Sequence, residues 1–292
     1  MESSLSPDVV AAIDDLEVAA RLVVEGTRAG GHRSPFRGAG TEFQQYRSYR
    51  AGDDLRHLDW KLYARSDRLF TRQFRETTDL AVQLVVDSSP SMAFPPAGVS
   101  KLRYAKIVAA SLAYLVTAQG SAVGLATSGP GGFTYLPTRP GTLHRSALIA
   151  RLDATAPSPA WNQTESIRHA ADLMKRRGIM VVVSDFYDDE DATLRELRAV
   201  AARGHDVIMV QVLSAEELAL GYRDEVELQD LESAERRLVD PSVIRAEYQR
   251  ALQLFIERLR TGAASSGIEY TLLSTDTAPE QAIRDLLIKR VR

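Results

Sequence analysis

The chain has 292 residues, of which 45% are hydrophobic and 26% charged, the balance of a soluble globular protein with one large domain or two ordinary ones. A net charge of −3 at pH 7 exerts no global pull toward nucleic acid or an anionic membrane. Cysteine is absent, which excludes disulfides, thiolate zinc sites, iron–sulfur clusters and a cysteine nucleophile, and predicts a reducing, cytoplasmic home.

The first residues, MESSLSPDVVAAIDDLE, are acidic and lack a continuous apolar run, so no export signal is expected. Pro7 to Val24 reads as a helix: Ser6 can cap it, Pro7 suits the first turn, and Val9, Ile13, Leu16 and Ala20 recur at helical spacing. Arg28 to Arg75 then holds eleven basic residues against five acidic ones. Residues 1–78 are therefore expected to form an N-terminal helix and a basic, aromatic segment that packs on the remainder. The longest uncharged stretch, Ile107 to Thr138, is cut at Gln119-Gly120-Ser121. Each piece falls short of the ~20 residues a spanning helix needs, so a buried helix followed by a buried strand is expected.

From Asp79 onward short apolar runs alternate with helical stretches, the pattern of an α/β fold with a largely parallel sheet. LAVQLVVD (80–87) is followed by a helix over Lys101 to Ala118. AVGLATS (122–128) and FTYLPT (133–138) flank Gly129-Pro130-Gly131-Gly132 and predict a hairpin whose second strand is an antiparallel edge. Two helices, near 142–153 and 165–177, precede the β-branched run IMVVVSD (179–185). A helix at about 190–203 and the strand DVIMVQVL (206–213) continue the alternation. A polar hairpin insertion is expected at about 224–240, then a long helix from Pro241 to about Ala264, the strand IEYTLLS (268–274) and a last helix from Pro279.

Asp87-Ser88-Ser89-Pro90-Ser91 stands where the first apolar strand stops. In extended backbone residues two apart face the same way, so Asp87, Ser89 and Ser91 can aim three oxygens at one spot. Such oxygens suit a hard divalent ion such as Mg²⁺. Another apolar strand ends in Ser184-Asp185, and Asn162-Gln163-Thr164 precedes the helix between them. Ligands of open parallel sheets gather beyond the carboxyl ends of the strands, where strand order reverses, and Asp87, Thr164 and Asp185 can all reach that crevice. Taken alone, Asp and Ser at a strand end are also ordinary turn and helix-cap residues.

Asp-x-Ser-x-Ser with a later Thr and a later Asp resembles the metal-ion-dependent adhesion site of von Willebrand factor A domains, over roughly residues 79–292. The flanking text GAGTEFQQYRSYRAGDDLRHLDWKLYAR (38–65), LMKRRGIMVVVSDFYDD (173–189) and DLESAERRLVDP (230–241) resembles the bacterial family called domain of unknown function 58. The resemblance implies a von Willebrand A-like, Rossmann-type, mostly parallel six-stranded sheet in the order 3-2-1-4-5-6, with helices on both faces. Asp87 and Asp185 would then end adjacent central strands. It further implies Ser89, Ser91 and Thr164 as direct or near-direct ligands of Mg²⁺ (or Mn²⁺ or Ca²⁺), with Asp87 and Asp185 acting partly through water. An acidic residue of a partner would complete the shell. The family resemblance also implies work with a MoxR-type AAA+ ATPase on a client protein, in assembly or remodelling, in a chaperone-like role. The chain itself has no Walker-type phosphate loop.

Other chemistries stand beside this one. Asp185 with Asp188, Asp189, Glu190 and Asp191 could serve, together with Asp87, a metal-dependent phosphohydrolase; the plainer reading places the run at the positive start of the next helix. The Arg residues of 28–75, interleaved with Tyr, Phe and Trp, have the composition of a nucleic-acid groove. Asp53, Asp54, Asp59 and Asp67 among them favour internal pairing or a protein-docking face instead. The five His residues (32, 57, 144, 169, 205) show no ligand spacing. The expectation is a non-enzymatic interaction protein.

Overall fold

Ser6 and Pro7 open the first helix as their types demand: the Ser6 hydroxyl accepts the Val9 amide at 3.4 Å at the start of α1 (Pro7–Ala11). The single helix expected over Pro7–Val24 is in fact two. Asp15 prefers the cap to the helix interior, and its Oδ1 accepts the amides of Glu17 (2.8 Å) and Val18 (3.2 Å) to start α2 (Leu16–Ala29). The computed structural model describes residues 6–29, 41–50, 58–76, 80–129, 132–222, 226–229 and 236–289. The parts of the basic segment at 30–40 and 51–57 thus lie outside the described residues. What is described of that segment is an antiparallel pair, β1 (Thr41–Ser48) and β2 (Phe70–Glu76), with α3 (Trp60–Ser66) between them. Asp59 caps α3 through the Leu62 amide (2.9 Å) and accepts the Tyr46 hydroxyl (2.8 Å), so this acidic residue is used internally.

The remainder alternates as expected. Strand β3 (Ala81–Val86) leads through a 3-10 turn at Pro90–Ala93 to α4 (Lys101–Ala118), and β4 (Ala122–Gly129) pairs antiparallel with β5 (Gly132–Arg139). The turn residues Pro130 and Gly131 lie outside the described residues. Then come α5 (Thr142–Asp153), α6 (Gln163–Leu173), β6 (Ile179–Ser184), α7 (Glu190–Ala202), β7 (Asp206–Leu213) and a short α8 (Ala215–Ala219). The insertion forms the antiparallel pair β8 (Val226–Gln229) and β9 (Arg236–Val239). The chain closes with α9 (Pro241–Ala264), β10 (Glu269–Ser274) and α10 (Pro279–Lys289). Among the described residues no helix is long and apolar enough to cross a membrane.

The six-stranded sheet runs β10-β7-β6-β3-β4-β5, parallel except for the edge strand β5. Counted along the sheet's own strands this is 3-2-1-4-5-6, the expected mostly parallel α/β arrangement. Side chains alternate between two cores. Val82, Leu84 and Val86 face the layer of α1, α2, α4, α5 and α10; Val85, Met180 and Val182 face α6, α7 and α9. Every residue of β3 and β6 is buried, because helices cover both faces. After β5 the chain returns to the other side of β3, so strand order reverses between β3 and β6, and a crevice opens beyond their carboxyl ends.

Candidate functional site at the carboxyl ends of β3 and β6

Asp87 continues β3 by one ladder bond, its amide donating to the Val183 carbonyl at 2.9 Å. Its Oδ1 accepts the Ser89 amide at 2.7 Å and its Oδ2 accepts the Ser184 hydroxyl from the neighbouring strand. Asp87 is 3% exposed. Burial pushes its pKa up to about 7, and the nearby charge of Asp185 adds to the rise, while the bonds from Ser184 and Ser89 oppose it. The next turn brings the Ser89 and Ser91 hydroxyls into a hydrogen bond, their oxygens 3.0 Å apart.

Asp185 follows the last residue of β6 and is 1% exposed. Phe186, buried beside it, adopts φ +60°, a conformation that costs a bulky residue of order 1–3 kcal/mol. Through this kink the Phe186 amide reaches the Ser184 hydroxyl (2.8 Å) and the Tyr187 amide reaches Asp185 Oδ1 (3.2 Å). Gln211 of β7 donates to the Asp185 carbonyl at 2.9 Å and accepts the Tyr270 hydroxyl. The other carboxylate oxygen, Oδ2, accepts a hydrogen bond from the Lys101 ammonium at 2.7 Å.

Asp87, Ser89, Ser91 and Asp185 line one cavity of about 290 Å³, with Trp161, Asn162, Gln163, Tyr187 and Asp188 completing the wall. Thr164, named from the sequence with these four, sits half-buried in the first turn of α6 and is not among the lining residues. Asn162 caps α6 through the Glu165 amide (2.8 Å), while Gln163 Oε1 accepts the Trp161 indole N–H at 2.9 Å. The indole can only donate, so the Gln163 oxygen faces Trp161. Its Nε2, buried, has no partner.

The donor set suits a hard dication. Octahedral Mg²⁺ with bonds of about 2.1 Å holds neighbouring oxygens about 3 Å apart, and the Ser89 and Ser91 hydroxyls stand at that spacing. Among the described residues no group of three or more His, Cys, Asp or Glu side chains converges on a metal-sized gap, so the hydroxyls are indispensable to such a site. Within the acidic run 188–191, Asp188 lines the cavity, whereas Asp189 caps α7 through the Ala192 amide (2.9 Å) and Glu190 pairs with Arg258 (2.9 Å).

Three neighbours escaped the reading of the sequence. Lys101, 1% exposed, donates to Asp185 and also to Glu217 Oε1 at 2.6 Å, and lies 4.7 Å from the centre of the Tyr187 ring. Tyr187 in turn stacks on Phe255 at 5.4 Å. Two local signals pointed there. A lysine in a helix's first turn opposes the helix dipole and so needs a special partner, and Ser214-x-x-Glu217 spells a capping box, which α8 indeed forms.

The model of the family described as "Protein of unknown function DUF58" matches residues 45–254. The chain is 32% identical over 251 residues to "Uncharacterized protein Rv1480" of Mycobacterium tuberculosis, covering 84% of this chain and 78% of that one. Among solved structures it is similar to the conserved hypothetical protein BatB of Bacteroides thetaiotaomicron, with a TM-score of 0.48, 17% identity and coverage of 73% of this chain and 98% of BatB. It is also similar to the VWA domain of SpRpn10, with a TM-score of 0.42, 12% identity and coverage of 70% and 94%.

Proposed function

The chain belongs to the DUF58 family, and from that premise we propose that it is a non-enzymatic interaction module that binds a partner protein through a divalent-cation site at the carboxyl edge of its sheet. The observation that carries this reading is the spacing of the Ser89 and Ser91 hydroxyls, 3.0 Å apart on the rim of a cavity that Asp87 and Asp185 share. Asp87, Ser89 and Ser91 hold the cation, Mg²⁺ or in its place Mn²⁺ or Ca²⁺. Asp185 acts from the next strand, and Thr164 is the remaining residue proposed for the set. A bound dication there supplies positive charge for a carboxylate of the partner.

This reading calls for no nucleophile or general base: the two buried carboxylates serve as ion ligands and as acceptors for serine hydroxyls, backbone amides and a lysine. The partner we propose is a MoxR-type AAA+ ATPase acting with this chain on a client protein in assembly or remodelling within the cytoplasm. Energy from ATP then comes from the partner.

The test is a pair of measurements on the full chain and on the double variant Ser89→Ala, Ser91→Ala. Mn²⁺ titration should show one saturable site in the wild type and none in the variant. Capture of a purified MoxR-type ATPase should need Mg²⁺ and be lost in EDTA and in the variant. Equal Mn²⁺ binding by both proteins refutes the site, and capture indifferent to cation and variant refutes its use.

A further inference from the structure

We propose that Lys101 is the built-in counter-cation of this site, and that by neutralising Asp185 it sets how strongly the site takes a divalent ion; this rests on the cation reading above. Lys101 opens α4 directly after its cap, Ser100, at the positive end of the helix dipole, where a cation is disfavoured. It is nonetheless buried, and an unpaired buried ammonium is strongly disfavoured. The surroundings meet that need: Asp185 Oδ2 at 2.7 Å, Glu217 Oε1 at 2.6 Å and the Tyr187 ring face. Glu217 is fixed in turn, because its second oxygen accepts the Ser214 amide at 2.7 Å within the capping box. The three elements α4, β6 and α8 thus converge on a cradle built for one positive charge.

The consequence follows from where Asp185 points. One oxygen is taken by Lys101 and the other by the Tyr187 amide, so within the cavity the charge of Asp185 is partly offset. A dication arriving near Ser89 and Ser91 meets Asp87 together with a carboxylate, Asp185, whose charge Lys101 already offsets. Removing the Lys101 charge exposes both Asp185 and Glu217, and cation affinity should rise. Removing the Glu217 charge instead leaves the ammonium less compensated, and affinity should fall.

The experiment is a Mn²⁺ titration by electron paramagnetic resonance on the full chain at fixed ionic strength, comparing wild type, K101Q and E217Q, with near-ultraviolet circular dichroism to report folding. Charges this close in a partly dry site should change affinity by at least about tenfold: tighter in K101Q, weaker in E217Q. Equal affinity in all three proteins, or weaker binding by folded K101Q, overturns the role of Lys101 while leaving the cation site standing. If K101Q does not fold, E217Q decides, and unchanged or tighter binding there overturns the proposal. No Mn²⁺ binding by the wild type or either variant at millimolar ion refutes the cation site itself, and the role of Lys101 with it.

Discussion

Ser184 and Asp87 end neighbouring parallel strands, and the Ser184 hydroxyl donates directly to Asp87 Oδ2. Even with this bond and the Ser89 amide, burial keeps the Asp87 carboxyl up near 7. The folded chain therefore holds the charged form at a cost above that pH, which a bound cation relieves and a neutral amide avoids. At pH 8 in EDTA, Asp87→Asn should unfold about 2 °C above the wild type, the shift expected for about 1 kcal/mol in a chain of this size. It should also lose any stabilisation by Mn²⁺. Thermal melts with and without the ion check both halves, and a variant that melts below the wild type in EDTA contradicts the first.

The acidic run after β6 supports a different expectation. Asp189 is the N-cap of α7, so Asp189→Ala removes a cap worth about 1 kcal/mol and should lower the melting temperature by about 2 °C. It should leave the Mn²⁺-induced shift unchanged. If cation stabilisation disappears as well, the run takes part in the metal site, and a two-metal arrangement gains support.

How far the sequence reaches can be read from particular residues. IMVVVSD and DVIMVQVL announced themselves as strands because residues buried on both faces must be apolar throughout, and β6 and β7 are buried almost end to end. Asp87, Ser89 and Ser91 were legible because their two-residue spacing is a local fact. Lys101 was legible only in part: a lysine in a first helical turn signals that it needs a partner, but its partners lie 84 and 116 residues away, and no local rule names them. The break between α1 and α2 turned on whether Asp15 would cap or continue a helix, which periodicity alone does not decide. At α6 the sequence singled out Thr164, whereas the cavity wall is formed by Asn162 and Gln163, because the first helical turn sends neighbouring side chains in different directions.

Gly178 precedes β6 and packs on the backbone of β3. A Cβ there meets the Ala81 carbonyl oxygen and carbon, atoms of the strand that carries Asp87. Neither can move without shifting the ladder between β3 and β6. Gly178→Ala should therefore destabilise the fold by about 1–3 kcal/mol, the range of a steric clash that shifts backbone. Urea unfolding measures it, and a loss below about 0.5 kcal/mol, the range of an ordinary surface change, shows that the two strands have room to spare.

His205 enters β7 from the Gly204 turn, 9% exposed, with its Nδ1 buried and unpartnered. Burial, joined by the charges of Arg203 and Arg177, lowers its pKa below the ordinary 6.5, only partly offset by Asp206. The sign follows: the folded chain binds this proton less readily than the unfolded chain. The stability His205 contributes is complete above pH 6.5 and is lost as the pH falls from there through the lowered folded value. His205→Gln cannot titrate, so the drop in urea midpoint between pH 7.5 and pH 5 should be smaller in the variant than in the wild type. An equal drop in both proteins places the acid sensitivity elsewhere, in the carboxylates that cap the helices.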